Sequence, residues 1–411
     1  MPTADADAAT RYDVAVIGAG ILGLATAREL ARRGERRILV IDKERTQATH
    51  QTGHNSGVIH SGLYYTPGSA KARLCVAGRH LLLEFCNEQD IAHDICGKLI
   101  VAVEESELAE LQTLYERGIA NGLRGLRLVD AQEIREIEPA VRGLRAIWVP
   151  EAGIVNYRDV ALAIARDTPG VTFGLGARVT GLRVTSGEVE IQTTGGTARA
   201  ENVIACAGLH SDRIARMTGA APEPRIIPFR GDYWVLKPER RGLIRGLVYP
   251  VPDSRFPFLG IHFTRRIEGP VWCGPNAVLA FAREGYRRRD VDLSDLAEAV
   301  GYGGFRALAA KYWRTGLAEL ARDVSKRLFL DALRRYVPEL TANDLLPGPS
   351  GVRAQAIDRE GRLVDDFAFD TAERVLNVRN APSPAATSSL ALAKEFVDRL
   401  ERMRSGMPAP A

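Results

Sequence analysis

A chain of 411 residues exceeds what one simple core organises, so two or three domains are expected, with segments interleaved. Hydrophobic residues at 45% and charged residues at 26% exclude a disordered chain, and no apolar run reaches the ~20 residues of a membrane-spanning helix. A net charge of +4, with no basic stripe interleaved with aromatics, argues against nucleic acid and suits anionic substrates or lipids. The cysteines, Cys75, Cys86, Cys96, Cys206 and Cys273, are odd in number and lack metal-ligand spacing, so no metal site is expected. Residues Met1 to Thr10 carry neither a basic nor an apolar segment and read as a tail rather than a signal peptide. A reduced, cytoplasmic location is the expectation.

In chain order, the segment from Val14 to Gly23, VAVIGAGILG, reads as a buried parallel strand ending in Gly18, Gly20 and Gly23, before a helix from Leu24 to Arg33. The first glycine permits a tight bend and the second lets backbone approach a pyrophosphate. The third lets helix and strand pack closely, while the helix N-terminus favours phosphate. The next strand, Arg37 to Ile41, ends at Asp42, about 20 residues past the glycines, where a carboxylate can accept from a ribose hydroxyl. This is a dinucleotide-binding βαβ unit. A polar loop from His54 to His60 follows, then a helix from Lys71 to Glu88, a strand from Lys98 to Val103 and a helix from Glu105 to Asn121.

The second half predicts a helix from Asn156 to Asp167 and strands over Val171 to Leu182, Glu188 to Thr193 and Asn202 to Ala205. Short β runs fill Pro222 to Phe281, helices with basic residues fill Leu293 to Tyr336, and a last strand at Val375 to Val378 precedes a helix from Thr387 to Met403. The fold class is α/β (α+β). A Rossmann-type dinucleotide domain (1–90, 146–221 and 341–411) interleaves with a substrate domain of mixed β-sheet plus helices (91–145 and 222–340). Within the helical block, Leu317 to Arg335 alternates apolar and basic residues at helical spacing. That pattern suits an interfacial helix on the cytoplasmic face of a membrane, or a packed helix with a solvated basic face.

A Rossmann opening near the N-terminus, with a C-terminal segment able to close over the cofactor, fits FAD better than NAD. At this point the chain resembles a known family. Its motifs VAVIGAGILGLATA, HQTGHNSGVIHSGLYYTPGS, CGKLIVA, GIVNYRDV, IPFRGDYW, FPFLGIHFT, GPNAVLAFAREGYR, GVRAQA and NAPSPAATSSL are similar to those of FAD-dependent oxidoreductases of the D-amino-acid oxidase and glycine oxidase superfamily. Within it the resemblance is to L-2-hydroxyglutarate dehydrogenases, also called oxidases, and it spans Tyr12 to about Leu400. It implies FAD held in an extended form, oxidation of L-2-hydroxyglutarate to 2-oxoglutarate, and electron delivery to a quinone or oxygen.

On that footing Gly18, Gly20 and Gly23 are expected at the pyrophosphate and Asp42, with Lys43 beside it, at the adenosine ribose. Asn55, Ser56 and Gly57 are expected near the flavin, with Val179 at the adenine or simply in a core strand. Ala207 and Gly208 would pass close to the cofactor, and Ala385, Ala386, Thr387 and Ser388 would open a helix toward the anionic reduced flavin, or merely cap it. Cys206 reads as a small buried residue.

The substrate is a dianion with a hydroxyl, so the site needs a carboxylate clamp and a general base. The resemblance aligns Arg353 with the carboxylate-binding arginine, while Arg230, Arg265 and Arg266 are candidates for the distal carboxylate or structural ion pairs. His54, His60 and His262 are the candidate bases, with His60 preferred because the resemblance puts its loop at the flavin. His210 reads as a packing residue. His54, Tyr64, Tyr65 and Tyr249 are candidates to orient the substrate. The rival reading on the same fold is an amino-acid or amine oxidase of the glycine or sarcosine oxidase kind. A flavin-binding scaffold without catalysis would need the clamp and base to be missing.

Overall fold

A computed structural model describes residues 10–252 and 259–407. The Phe256-Pro257-Phe258 opening of the motif FPFLGIHFT lies outside these residues, as do the expected tail before Thr10 and the last residues of the Pro/Ala-rich end. The strand Arg11–Ile17 runs parallel to Ile38–Asp42 on one side and to Gly196–Ala205 on the other. Val14, Ala15 and Val16 are fully buried between these neighbours, as a parallel strand covered on both faces requires. Val171–Leu175 extends this sheet beyond Ile38–Asp42. Val179–Val184, Val189–Thr193 and the pair Ala368–Ala372 and Val375–Asn380 complete it at the other edge. Helices Ile21–Arg32, Tyr157–Arg166 and Ser389–Arg404 pack together, with Leu24, Leu30, Ile164, Phe396 and Leu400 in one core.

The expected strand from Val171 to Leu182 is two strands. Gly176, at φ +77°, turns the chain between them, and the Val171–Leu175 half pairs parallel while the Val179–Val184 half pairs antiparallel. An alternating apolar pattern reads alike in one strand or two, and only the turn separates them.

A second sheet of nine strands stands beside the first. Its centre is the antiparallel pair Arg225–Leu236 and Leu345–Ile357, joined from Arg225↔Ile357 to Leu236↔Leu345. Two segments assigned by sequence to the nucleotide domain belong to this sheet: residues 146–149 of Arg145–Val149, which pairs with Lys98–Ala102, and Leu345–Ile357. The helical block divides into Leu293–Gly301, Gly303–Val324, bent at Tyr312, and Lys326–Arg334. The interfacial pattern read over Leu317 to Arg335 is thereby cut at Ser325. Phe329, Leu330 and Leu333 beyond the cut are buried in the second core, whereas Trp313, Leu317, Leu320 and Val324 before it are 48 to 74% exposed.

Candidate functional site

A cavity of about 830 Å³ runs from the glycine turn and Asp42, between the two sheets, to Arg353. Backbone geometry builds its first end. Gly18 takes φ +109°, and a Cβ there would sit on the Cys206 carbonyl oxygen; a Cβ on Gly23 would sit on the Gly18 carbonyl oxygen. Gly23 therefore lets the helix lie against the strand and, contrary to expectation, does not line the cavity. The helix N-terminus after Gly20 faces the cavity, where the Ile21 amide donates to Thr52 Oγ1 at 3.0 Å. Asp42 is held by the amides of Ala19 (2.6 Å) and Glu44 (2.8 Å). Lys43 lines the cavity but pairs with Glu44 and Glu284, the latter at 2.7 Å. His210 meets the same Glu284 carboxylate at 3.1 Å, and these partners pull that carboxylate down to about 2.

Val179, Cys206, Ala207 and Gly208 line the middle of the cavity. Burial pushes the Cys206 thiol up to about 12, so it carries no thiolate. Asn55 is spent on its own loop, donating to the Gln51 and Thr52 carbonyls and accepting from the Gly57 amide at 2.9 Å. With Ser56 and Gly57 it forms wall. His54 stacks on Tyr286 at 4.1 Å and bonds the Ser350 carbonyl at 3.2 Å through Nδ1, which ties the loop to the second sheet.

The C-terminal segment contributes Ala385 and Ala386 to the wall. Thr387 and Ser388, expected at the cofactor, stand behind it with no exposed surface. Thr387 Oγ1 lies 2.6 Å from the Tyr157 hydroxyl and accepts from the His60 amide at 3.1 Å, so its part is to hold the His60 loop. Tyr157 was not anticipated, because only the fold brings positions 157 and 387 together.

The far end gathers Arg353, His60, His262 and Tyr249. Arg353 faces Phe229 across the ladder and lines the cavity. Arg230 does not line the cavity. It donates to Asp232 at 3.0 Å and lies 3.5 Å from Asp323, so it is an ion-pair partner rather than a substrate ligand. Arg265 pairs with Asp94, and Arg266 donates to the Asn55 carbonyl at 3.1 Å and covers the Trp272 ring; neither lines the cavity. Tyr64 and Tyr65 also stand outside the lining, under Lys98 and Lys71 respectively. Tyr249 stacks on His262 at 3.9 Å.

His262 Nδ1 lies 2.8 Å from the Gly260 carbonyl oxygen, which can only accept. The proton therefore sits on Nδ1, and Nε2 keeps its lone pair. His60 Nε2 lies 3.2 Å from Ser383 Oγ, while its Nδ1 is buried without a partner. Burial, with Lys98 nearby, pushes both imidazoles down to about 3, so both are neutral at physiological pH. A long cavity with glycine close approaches, a helix N-terminus at one end and an orphaned imidazole nitrogen at the other fits FAD in extended form.

The family model for FAD dependent oxidoreductases matches residues 13–399. The chain is 51% identical over 413 residues to a mitochondrial L-2-hydroxyglutarate dehydrogenase of Nematostella vectensis, covering 94% of this chain and 90% of that one. It is 44% identical over 403 residues to the L-2-hydroxyglutarate dehydrogenase of Escherichia coli, covering 97% and 95%. In fold it is similar to the L-alpha-glycerophosphate oxidase of Mycoplasma pneumoniae (TM-score 0.76, 21% identity, 95% of each chain) and the glycine oxidase of Geobacillus kaustophilus (0.72, 20%, 95% of each).

Proposed function

The chain belongs to the FAD dependent oxidoreductase family, and on that premise we propose that it oxidises L-2-hydroxyglutarate to 2-oxoglutarate. The observation that carries this reading is the far end of the cavity, lined by Arg353 and by a neutral His262 whose Nε2 keeps its lone pair. FAD, when bound, supplies a two-electron acceptor that takes a hydride.

The chain's own residues do the rest. Arg353 offers parallel N–H donors to the carboxylate beside the carbinol and so sets its plane. His262 Nε2 receives the hydroxyl proton, and Tyr249 holds that ring by stacking. A bound dianion favours the protonated imidazole, which raises the basicity of His262 when it is needed. Pyrophosphate falls to Gly18, Gly20 and the helix N-terminus, ribose to Asp42.

The test is direct. The purified protein is expected to be yellow, to release FAD on acid treatment, and to bleach without oxygen on addition of L-2-hydroxyglutarate, with lactate, glycine, sarcosine and glutamate far slower. Faster bleaching by an amino acid would move the assignment to the amine oxidases.

Electrons leave toward a quinone at a lipid surface, with oxygen as the competing acceptor. Trp313, Leu317, Leu320 and Val324 recur at i, i+4, i+7 and i+11 on the outer face of Gly303–Val324, with the exposed basic residues Lys311, Arg314 and Arg327 nearby. That combination matches an anionic bilayer. No helix among the described residues is long and apolar enough to cross a membrane, so contact of this kind would be peripheral. Wild-type protein is expected to co-sediment with phosphatidylglycerol vesicles in a salt-sensitive way, and the double variant Trp313→Glu, Leu317→Glu to remain in solution with dye-linked activity intact. Equal sedimentation of the two would remove this face from the reading.

A further inference from the structure

The second sheet's strand Val278–Leu279 leads to the helix Leu293–Gly301 through a connection whose residues 283–286, Arg-Glu-Gly-Tyr, reach across to the nucleotide half. The reaction makes no use of them. Arg283 is a buried anchor. Its guanidinium donates to both carboxylate oxygens of the fully buried Asp212, at 2.6 and 2.9 Å, and to the Leu209 carbonyl at 2.6 Å. Parting a buried pair of this kind strands a charge, so the anchor stays shut. Tyr286 holds the other end of the strap. Its ring stacks on His54 at 4.1 Å, its hydroxyl lies 3.2 Å from His50 Nδ1, and its carbonyl accepts from Ser350 Oγ.

Glu284, between them, makes a softer contact. One oxygen of its carboxylate, Oε1, meets nitrogens from three separate segments: Lys43 Nζ at 2.7 Å, His210 Nε2 at 3.1 Å and His50 Nε2 at 3.2 Å. Lys43 follows Ile38–Asp42 directly, His50 belongs to the loop leading to Asn55, and His210 follows Gly196–Ala205. All four side chains line the cavity, as does Glu44, whose amide donates to Asp42. The Lys43 ammonium also meets Glu44 and lies 2.8 Å from His50 Nε2. It thus fills the centre of a Glu44, His50 and Glu284 group whose donor types would otherwise suit a metal ion. The Glu284 side chain is 29% exposed, and ion pairs that water can reach open at little net cost.

A long cofactor enters a cavity between two sheets only when contacts across that cavity part. We propose that Glu284 is a latch fastening the 283–286 strap to the loop that carries Lys43 and His50, and that FAD passes in and out of the cavity when this latch opens. The proposal requires FAD binding alone and is independent of the substrate. A latch that is mostly closed limits traffic in both directions by the same factor, the fraction of time it stands open. A side chain that merely touches FAD slows its release and leaves its uptake alone. The two roles therefore leave different kinetic signatures.

The experiment follows flavin fluorescence in stopped flow as FAD leaves the holoenzyme and as it rebinds to the apoprotein, in the wild type, Glu284→Ala and Glu284→Gln. In Glu284→Ala both rate constants are expected to rise about tenfold, with the equilibrium dissociation constant within about threefold of the wild-type value. Glu284→Gln keeps an acceptor without the charge and should fall between the two. If Glu284→Ala loses its fold, seen as a collapsed thermal midpoint, Glu284→Gln is read by the same criterion. Rates that stay at the wild-type values, or release that quickens without uptake, overturn the latch.

Discussion

Arg353→Lys is expected to lower kcat/KM for L-2-hydroxyglutarate nearly as far as Arg353→Ala, by about a hundredfold or more, with flavin still bound. A guanidinium presents two parallel donors that fix the carboxylate plane, whereas an ammonium is a point charge about which the substrate pivots. Displacement of the reacting carbon by about 1 Å costs roughly a hundredfold, close to 3 kcal/mol of barrier, so kcat falls along with affinity. The backbone at this position is held independently of the side chain by its ladder with Arg225–Leu236. Flavin absorbance and an unchanged thermal midpoint therefore separate loss of binding from loss of fold. Near-normal kcat/KM in either variant would show that Arg353 does not hold the substrate.

The second large effect concerns the base. His262→Ala is expected to cost about 10² to 10⁴ in kcat, the usual contribution of a positioned general base, and His60→Ala about tenfold. Two observations separate them. His262 has its tautomer set by the Gly260 carbonyl and feels Arg353, whereas His60 spends Nε2 on Ser383 and lies within reach of Lys98, Lys71 and His262 rather than Arg353. The base must lie beside the clamp, since the carbinol is adjacent to the clamped carboxylate. Burial lowers the imidazole below its usual value of 6.5, and the neutral form is the active one. Activity, read as kcat/KM of the free enzyme, should therefore persist below pH 6.5 and fall only as more acidic solution protonates His262. His262→Ala should abolish that acidic limb. If it keeps both the limb and full turnover, the proton goes elsewhere.

Much of the nucleotide half was legible because its signals are local. The bend at Gly18, the packing at Gly23 and the carboxylate at the end of Ile38–Asp42 follow from one continuous stretch in which chain spacing equals spatial spacing. The substrate half was less so. Arg230 and Arg353 look alike as arginines in β-like runs, and only the fold shows that one lines the cavity while the other pairs with Asp232 and Asp323. Thr387 and Ser388 looked like a helix opening onto a cofactor, but the fold puts Thr387 under the His60 loop.

What this sequence determined by itself is the chemistry of close approach: where backbone can bend, where phosphate can be met, and which residue types are available to hold an anion or a proton. Those properties reside in single residues and their immediate neighbours. The tertiary structure alone decided which of the available cations and imidazoles share one space. Strand register allots side chains to faces with a period of two, and a shift of one residue exchanges cavity for core. Arg353 and His262 come from strands far apart in the chain, and they line one cavity only once Leu345–Ile357 and His262–Arg265 are joined into the same sheet.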